Sequence, residues 1–496
     1  MNTGVETGTA ALTTRRLGWR ALSLGAANAF DYAAQFLLPV VLARCLDPAA
    51  FGEYRLLWLA VGTVIAVVPL AMPASLYYFL PRSDGTTKRL YVNQTLLFLA
   101  AGGLIAGWAV SAWNPWLPEM MRGLAAHGAI VPAFVVLWVF TSLLDLLPTV
   151  EERVMWQAKA TVGLATLRAV ALSLTAILTR ELGPVLLVLL AFAVFKVALL
   201  LGYVTSHHGL RGPLLRWGAF TDQLRYAAPF GTAGGLYGLR AQADQWVAAA
   251  LFPLGMFASF SIAAVLGSLV SLFRQSVNAA FLPSMSRLQA AGDLRGMLEL
   301  NSRANVMVGV LLYPLLAFVF IFAEELVTIV YTEAYVDAAP VMRVCIVGLA
   351  ALVVELASIT LLLRQGEFVT GVNLAALALA VPLNWLAAQH LGLVGAAVGT
   401  VTVIYLDRIV TLRRITRLTR VPFRQLQDWR TLGLLMLFAA LAAALAWGVV
   451  GRYLAAGGPL GRLALGGACL AAAYGAMVVP YSMGRGWVTA VRTPQR

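Results

Sequence analysis

The sequence predicts an all-α polytopic membrane protein: fourteen transmembrane helices, in two pseudo-symmetric six-helix lobes followed by two C-terminal helices. Three observations lead there. Hydrophobic residues make up 60% of the 496 positions and charged ones only 12%, about half the charged share of a typical soluble domain. The apolar residues gather into runs of about 20, the length that carries a helix across about 30 Å of hydrocarbon. The basic residues, finally, fall unevenly between alternate connections, as in a multi-pass chain. This composition excludes a soluble multi-domain enzyme and a disordered or collagen-like chain.

In chain order the runs lie at 21–43, 56–80, 91–113, 126–148, 160–179, 183–205, 229–252, 255–282, 304–323, 339–363, 368–389, 392–410, 431–450 and 460–480. Thr14-Arg15-Arg16-Leu17 faintly resembles a twin-arginine export leader. The run from Ala21 to Ala43 is too long for a cleaved leader and has no clear A-x-A site, so the first helix is expected to stay. In the second run Pro69 and Pro73 predict a kink or hinge. The connection 206–228 sets Leu, Trp and Phe against Arg at helical spacing, which predicts a segment lying along the inner membrane face. It separates an N-terminal lobe (1–206, spans 1–6) from a C-terminal lobe (229–417, spans 7–12), with 207–228 as the amphipathic connector and 418–496 holding spans 13 and 14 and a tail. Six spans are an even number, so both lobes start on the same side, the condition for a parallel repeat.

Charge sets the expected orientation. Lys and Arg number 36 against 22 acids, a net +14. With the N-terminus inside, 25 of the cations fall in inner segments and 7 in outer ones, which predicts that both termini are cytoplasmic. The surplus is thereby a topological signal, and no nucleic-acid partner is expected. Cys45, Cys345 and Cys469 form no CxxC, and His127, His207, His208 and His390 form no HExxH, so neither a metal site nor a cofactor is expected. The chain has no G-x-x-x-x-G-K-[ST] loop, which excludes an ATP-driven pump on this chain.

Polar residues inside the spans are the candidate functional groups, because intramembrane charge is costly and usually functional. Asn28, Asp31 and Gln35 share one face of the first span; Tyr237, Arg240 and Asp244 repeat that spacing in the seventh. Ser271, Arg274, Gln275 and Asn278 form a fuller stripe in the eighth. Such faces avoid lipid. Asp31 has no charged neighbour on its own helix, so it is either a proton or cation site or the partner of a distant arginine. Arg240 and Asp244, four apart, are spaced to neutralise one another. Arg168, Lys196 and Asp145 read as a buried charge cluster in the first lobe, and Glu355 with Ser358 as either structural or a coupling site.

An ordered set of short motifs carries a family resemblance. Arg44-Cys45-Leu46-Asp47-Pro48-Ala49-Ala50-Phe51-Gly52-Glu53-Tyr54 resembles the R-x-L-x-P-x-x-[YF]-G-x-Y stretch after the first helix of bacterial polysaccharide flippases. Leu224-Arg225-Tyr226-Ala227-Ala228-Pro229 is similar to their L-x-Y-x-x-P opening of the seventh helix, and Ala243-Asp244-Gln245 to the x-D-x later in that helix. Pro283-Ser284-Met285-Ser286-Arg287 with Gly292-Asp293 resembles their P-x-x-S-[RK]…G-D loop, and Tyr331, Tyr335, Ala338 and Ala339 their Y-x-x-x-[YF]…A segment. These are the Wzx-like members of the multidrug/oligosaccharidyl-lipid/polysaccharide exporter superfamily.

The resemblance implies an inner-membrane protein whose helices 1, 2, 7 and 8 line a central cavity. It also implies a cargo of undecaprenyl-diphosphate-linked sugar repeat units, moved from the cytoplasmic to the periplasmic leaflet by alternating access. The partners it implies are that lipid-linked oligosaccharide, membrane lipids, a coupling proton or sodium ion, and polymerase and export machinery. A guanidinium never deprotonates and offers paired donors to phosphate, which makes Arg274 the preferred head-group ligand, with Arg240, Gln275, Asn278, Ser271 and Tyr237 around it. Asp31, Asp244 and Glu355 are the coupling-ion candidates. Asp31, Arg240, Asp244 and Arg274 sum to zero charge, whereas the lipid II branch is expected to have an arginine-rich cavity. A drug/cation antiporter of the same superfamily is the nearer alternative. A membrane polymerase or ligase is the further one, since the longest outer connection, about 324–340, is short for a folded catalytic site.

Overall fold

The computed structural model describes residues 4–208, 212–454 and 458–484, which are helical almost throughout, with no strand among them. The chain divides into two compact units, 1–242 and 243–496. The boundary differs from the expected lobe division at 206–228, because the helix after the connector belongs to the first unit.

That unit contains α1 (Gly4–Cys45), α2 (Pro48–Val67), α3 (Met72–Phe79), α4 (Gly85–Ala109), α5 (Ile130–Thr141), α6 (Val154–Thr179), α7 (Leu182–His208) and α8 (Trp217–Ala241). The turn into α2 explains the first motif. Asp47 caps the helix by accepting from Ala49 N (2.9 Å) and Ala50 N (3.1 Å), and Pro48 occupies the first turn, where no N–H is needed. Phe51 and Tyr54 then point into the interior, 0% and 2% exposed.

The kink expected at Pro69 and Pro73 is a full interruption between α2 and α3. Leu70 (φ 44°) and Ala71 (φ 56°) are both left-handed, a conformation costing about 1–3 kcal/mol per non-glycine residue. The backbone of α8 sits against this break. A Cβ on Gly231 would lie 2.5 Å from Leu70 Cα, so only glycine permits the approach. The residues from Trp217 onward, expected in a surface connector, are the first turns of α8. A buried polar knot ties them down: Gln223 Nε2 donates to Ser75 Oγ (2.8 Å) and Thr95 Oγ1 (3.0 Å), while Gln94 Nε2 donates to Gln223 Oε1 (2.6 Å). Tyr226 stacks on Tyr78 at 4.7 Å. Beneath lies an apolar core that includes Leu76, Leu99, Val139, Leu143 and Leu200.

At the end of α7, Glu151 accepts hydrogen bonds from Tyr203 Oη and His208 Nε2, and Arg89 Nη1 donates to the His208 carbonyl. Burial acts to raise the Glu151 carboxyl, but those two bonds and the charges of His208 and Arg153 outweigh it and hold the group below the usual glutamate range.

The second unit contains α9 (Ala243–Leu251), α10 (Leu254–Ala290), α11 (Leu294–Ile321), α12 (Ala338–Leu352), α13 (Ala357–Leu362), α14 (Gly366–Leu391), α15 (Gly395–Thr419), α16 (Trp429–Tyr453) and α17 (Pro459–Gly484). Helices α10 and α11 form a hairpin closed by Gly292 (φ 79°), after which Asp293 caps α11 by accepting from Gly296 N at 2.8 Å. Helices α14 and α15 pair through Asn384, which accepts from Thr400 N (2.7 Å) and donates to Thr400 Oγ1 (2.9 Å). Helices α16 and α17 pack against each other, and Tyr474 on α17 donates to the Val310 carbonyl of α11.

Among the described residues, eleven helical runs are long and apolar enough to cross a membrane, one of them the α14–α15 hairpin. The difference from fourteen has local causes. The seventh expected span is divided at Gln242 into α8 and α9, and the tenth is divided at Val353–Leu356 into α12 and α13. Neither interruption holds a proline or glycine, the residues that normally announce one.

Candidate functional site

In the first unit the polar residues converge on a cavity of about 140 Å³ lined by Asp31, Gln35, Asp145, Gln157, Arg168 and Lys196, with Trp138 and Phe192 among its apolar walls. Helix α1 packs along α6, which brings Asp31 to Arg168: Oδ1 and Nη2 are 3.2 Å apart. Gln35, one turn on, donates to the other carboxylate oxygen at 2.7 Å. Lys196 on α7 bonds Asp145 at 2.9 Å and lies 4.8 Å from the Trp138 ring. Of the two readings for Asp31, the arginine partner is therefore present. The expected cluster of Arg168, Lys196 and Asp145 divides into two acid–base pairs, one of which recruits Asp31.

The chemistry follows from charge balance. Arg168 and Lys196 are largely buried, with side chains 11% and 7% exposed, and each cation has a carboxylate beside it. The contact between Asp31 and the largely buried Arg168 thereby helps to hold α1 on α6.

In the second unit the stripe on α10 is continuous, so Ser271, Arg274, Gln275 and Asn278 share a face. Gln275 is exposed and the other three half-buried. Arg274 does not end in open space: its Nη1 donates to the carbonyl of Leu352, the last residue of α12, at 2.9 Å. Glu355 lies in the gap between α12 and α13 and is 5% exposed. Its carboxylate accepts from Ala357 N (2.7 Å) and Ser358 N (3.3 Å), the work of a helix cap, which accounts for its burial without an ion. Arg408, near the inner end of the twelfth expected span, lies within α15 and donates to Val354 O at 3.1 Å.

On α8, Tyr237 is exposed and Arg240 half-buried. The helix stops at Ala241 and restarts at Ala243, so the i, i+4 spacing of Arg240 and Asp244 does not run along one helix. Asp244 bonds the backbone N–H of Gln245. Sequence reasoning did not single out Trp138, Gln157, Asn301, Asn305 or Arg408. Asn301 and Asn305 carried a signal, two amides four apart near the start of the ninth span.

The helical architecture of the described residues, with eleven runs long and apolar enough to cross a membrane, defines a multi-pass membrane protein. Its fold is that of the MOP superfamily. A multidrug resistance MATE family transporter in its inward-facing conformation matches with a TM-score of 0.62 at 13% identity, over 79% of this chain and 96% of that one. A MOP superfamily transporter from Pyrococcus furiosus matches at 0.54 with 14% identity, over 81% and 95%. The Vibrio cholerae MATE transporter VcmN, in its bent form, matches at 0.52 with 12% identity, over 82% and 98%. No curated protein matches by sequence. Residues 41–340 match the family described as Polysaccharide biosynthesis protein. The chain belongs to that family, and the resemblance to Wzx-like flippases of the superfamily holds.

Proposed function

We propose that this protein is a flippase of the bacterial inner membrane, with both termini cytoplasmic. It carries undecaprenyl-diphosphate-linked oligosaccharide repeat units from the cytoplasmic to the periplasmic leaflet by alternating access, and delivers them to polymerase and export machinery. The observation that carries this reading is the polysaccharide-family match over residues 41–340. It favours a lipid-linked sugar over the drug or cation of the alternative antiporter. The diphosphate head group is assigned to Arg274, with Ser271, Gln275 and Asn278 on the same face of α10, and Tyr237 and Arg240 are cargo contacts on α8. Coupling is assigned first to Asp31, whose carboxylate is shared between Arg168 and Gln35, and second to Asp244. Glu355 is given no coupling role, since its carboxylate serves as a cap.

The test is translocation by the purified chain in proteoliposomes, with a fluorescent polyprenyl-diphosphate oligosaccharide and a membrane-impermeant quencher. The wild-type chain should move the lipid between leaflets. Asp31→Asn should slow it by at least tenfold with equal insertion and should abolish its response to an imposed pH or sodium gradient. Cationic dye transport without lipid movement would replace this reading by the antiporter one.

A further inference from the structure

The end of α15 and the chain that joins it to α16, residues 411–430, hold six arginines and a single acid, Asp428. Two of these charges are used inside the protein. Asp428 caps α16 by accepting from Thr431 N (3.1 Å) and Thr431 Oγ1 (2.6 Å). Arg414 donates from Nε and Nη2 to Gln365 Oε1, at 3.0 and 2.9 Å. Arg413, Arg417, Arg420, Arg424 and Arg430 are exposed, and none has a side-chain hydrogen bond or ion pair among the described residues. The arginine at the start of another hairpin is treated differently: Arg303 has Glu299 beside it at 2.6 Å.

Where the five lie follows from the stripes they end. On α15, Leu406, Ile409, Val410, Arg413 and Arg417 share one exposed face. On α16, Arg430, Leu437 and Leu441 do the same. Each stripe is apolar along its helix and turns basic only at the end where the two helices are joined. A face facing water or cargo would be polar along its length, as on α10; these pass from hydrocarbon into head groups. Between the helices the chain bends at Arg420 (φ 57°) and Pro422 into one turn of helix, Phe423–Leu426, that packs beside α15. Leu426 is buried beneath the turn, while Phe423 and Arg424 are exposed on it. Phe423 stacks on Trp429 at 5.0 Å, and Trp429 Nε1 donates to the Phe423 carbonyl at 2.9 Å. Aromatic rings of this kind mark the head-group level.

The orientation rule accounts for positive charge on this side of the membrane. It does not require that the charges stand unpaired at the ends of lipid-facing stripes. A guanidinium in that position meets the head group above the neighbouring acyl chains, and its planar fork matches a phosphate. Clusters of about 4–8 basic residues beside a span draw anionic lipid, each contributing about fivefold in partition. We propose that this connection is a binding site for an anionic phospholipid of the cytoplasmic leaflet. Arg413, Arg417, Arg420 and Arg424 hold the phosphate, and the acyl chains lie along the apolar stripes of α15 and α16. The site uses only the inner placement of this connection and is independent of the cargo.

The test is direct binding to the full-length chain in neutral detergent. Tail-labelled phosphatidylglycerol is titrated beside phosphatidylcholine with the same tails, and fluorescence anisotropy is read. Wild type should prefer phosphatidylglycerol by about tenfold or more, and high salt should weaken the preference. Changing Arg417→Gln, Arg420→Gln and Arg424→Gln together should bring the two lipids within about twofold of each other, since each arginine is worth about fivefold. Arg417→Lys, Arg420→Lys and Arg424→Lys together keep the charge and should keep most of the preference. A matched triple, Arg225→Gln, Arg287→Gln and Arg295→Gln, removes the same charge from the same side elsewhere and should bind like wild type. Excess inorganic phosphate should leave the lipid in place. If the matched triple loses the preference equally, the lipid responds to net charge and there is no site. If the lysine triple loses as much as the glutamine one, the shape of the turn matters and not its charge; if inorganic phosphate displaces the lipid, the arginines hold a free anion. Any of these results, or a wild type without preference, overturns the proposal and leaves the flippase reading untouched.

Discussion

Asp31 shows what a single residue's sequence context can and cannot say. Its position inside an apolar run marks it as costly and therefore purposeful. Its partner Arg168 lies 137 residues away in a different helix, and no spacing rule along one helix reaches that far. Glu151 is the opposite case, an unremarkable loop acid in the sequence that the fold surrounds with Tyr203 and His208. Its folded-state value is depressed, so the stability it contributes is present above the unfolded glutamate range, about 4.3. That contribution is lost as pH falls through the lowered folded value. Thermal unfolding of the detergent-solubilised chain should therefore shift downward as pH is lowered from about 5, through the unfolded glutamate range and below it. Glu151→Gln should be less stable at neutral pH and should flatten that portion of the profile. An unchanged profile in the variant would mean that other carboxylates govern the acid limb.

Elements were legible where the sequence carries punctuation and obscure where packing makes the break. Pro69 and Pro73 announced a disturbance in the second span, and the structure places two left-handed residues there. The interruptions at Gln242 and at Val353–Leu356 hold neither proline nor glycine. At the second, side chains from other helices satisfy the exposed backbone: Arg274, Arg408, Asn301 and Asn305 all donate to it. The motifs that suggested the family proved to be structural: Asp47 and Asp293 cap helices, and Phe51, Tyr54 and Tyr335 are core. They identify the scaffold and say little about the cargo. The contact between α8 and the second-span break gives a sign-changing test. Gly231→Ala forces a Cβ into the Leu70 backbone and should cost about 1–3 kcal/mol, as overpacking does. Gly234→Ala meets nothing within 4 Å and should be neutral or stabilising by up to about 1 kcal/mol. Thermal melts in detergent decide between them; equal effects would mean that α8 can shift to make room.

At the scale of the whole molecule, composition alone gave the membrane class and the helical fold, because 60% hydrophobic residues admit little else. The division of the chain was harder. The longest polar connection drew the expected boundary to 206–228, whereas the compact units meet at Gln242 and Ala243. The reason is the buried Gln223, whose bonds to Ser75, Thr95 and Gln94 fasten α8 to the first unit although its sequence runs on into the second. The orientation rests on the 25-to-7 division of basic residues. Reporter fusions at Gly292, Leu418 and the C-terminus should report cytoplasm, and a fusion at Thr332 periplasm; a periplasmic C-terminus would overturn the topology.

The attachment of α8 also bears on how such a chain can be taken apart. Connector length would suggest cutting the gene within 206–228, but a cut ahead of α8 would leave Gln94, Ser75 and Thr95 facing a space that Gln223 should fill. It would also remove Gly231 from the broken second span, so the first fragment would present unmet amides and bare backbone to lipid. A cut between Gln242 and Ala243 leaves every one of those bonds inside one fragment. The workable joint for split reporters, domain exchange or circular permutation is therefore the short step at Gln242, which looks in the sequence like the middle of a helix.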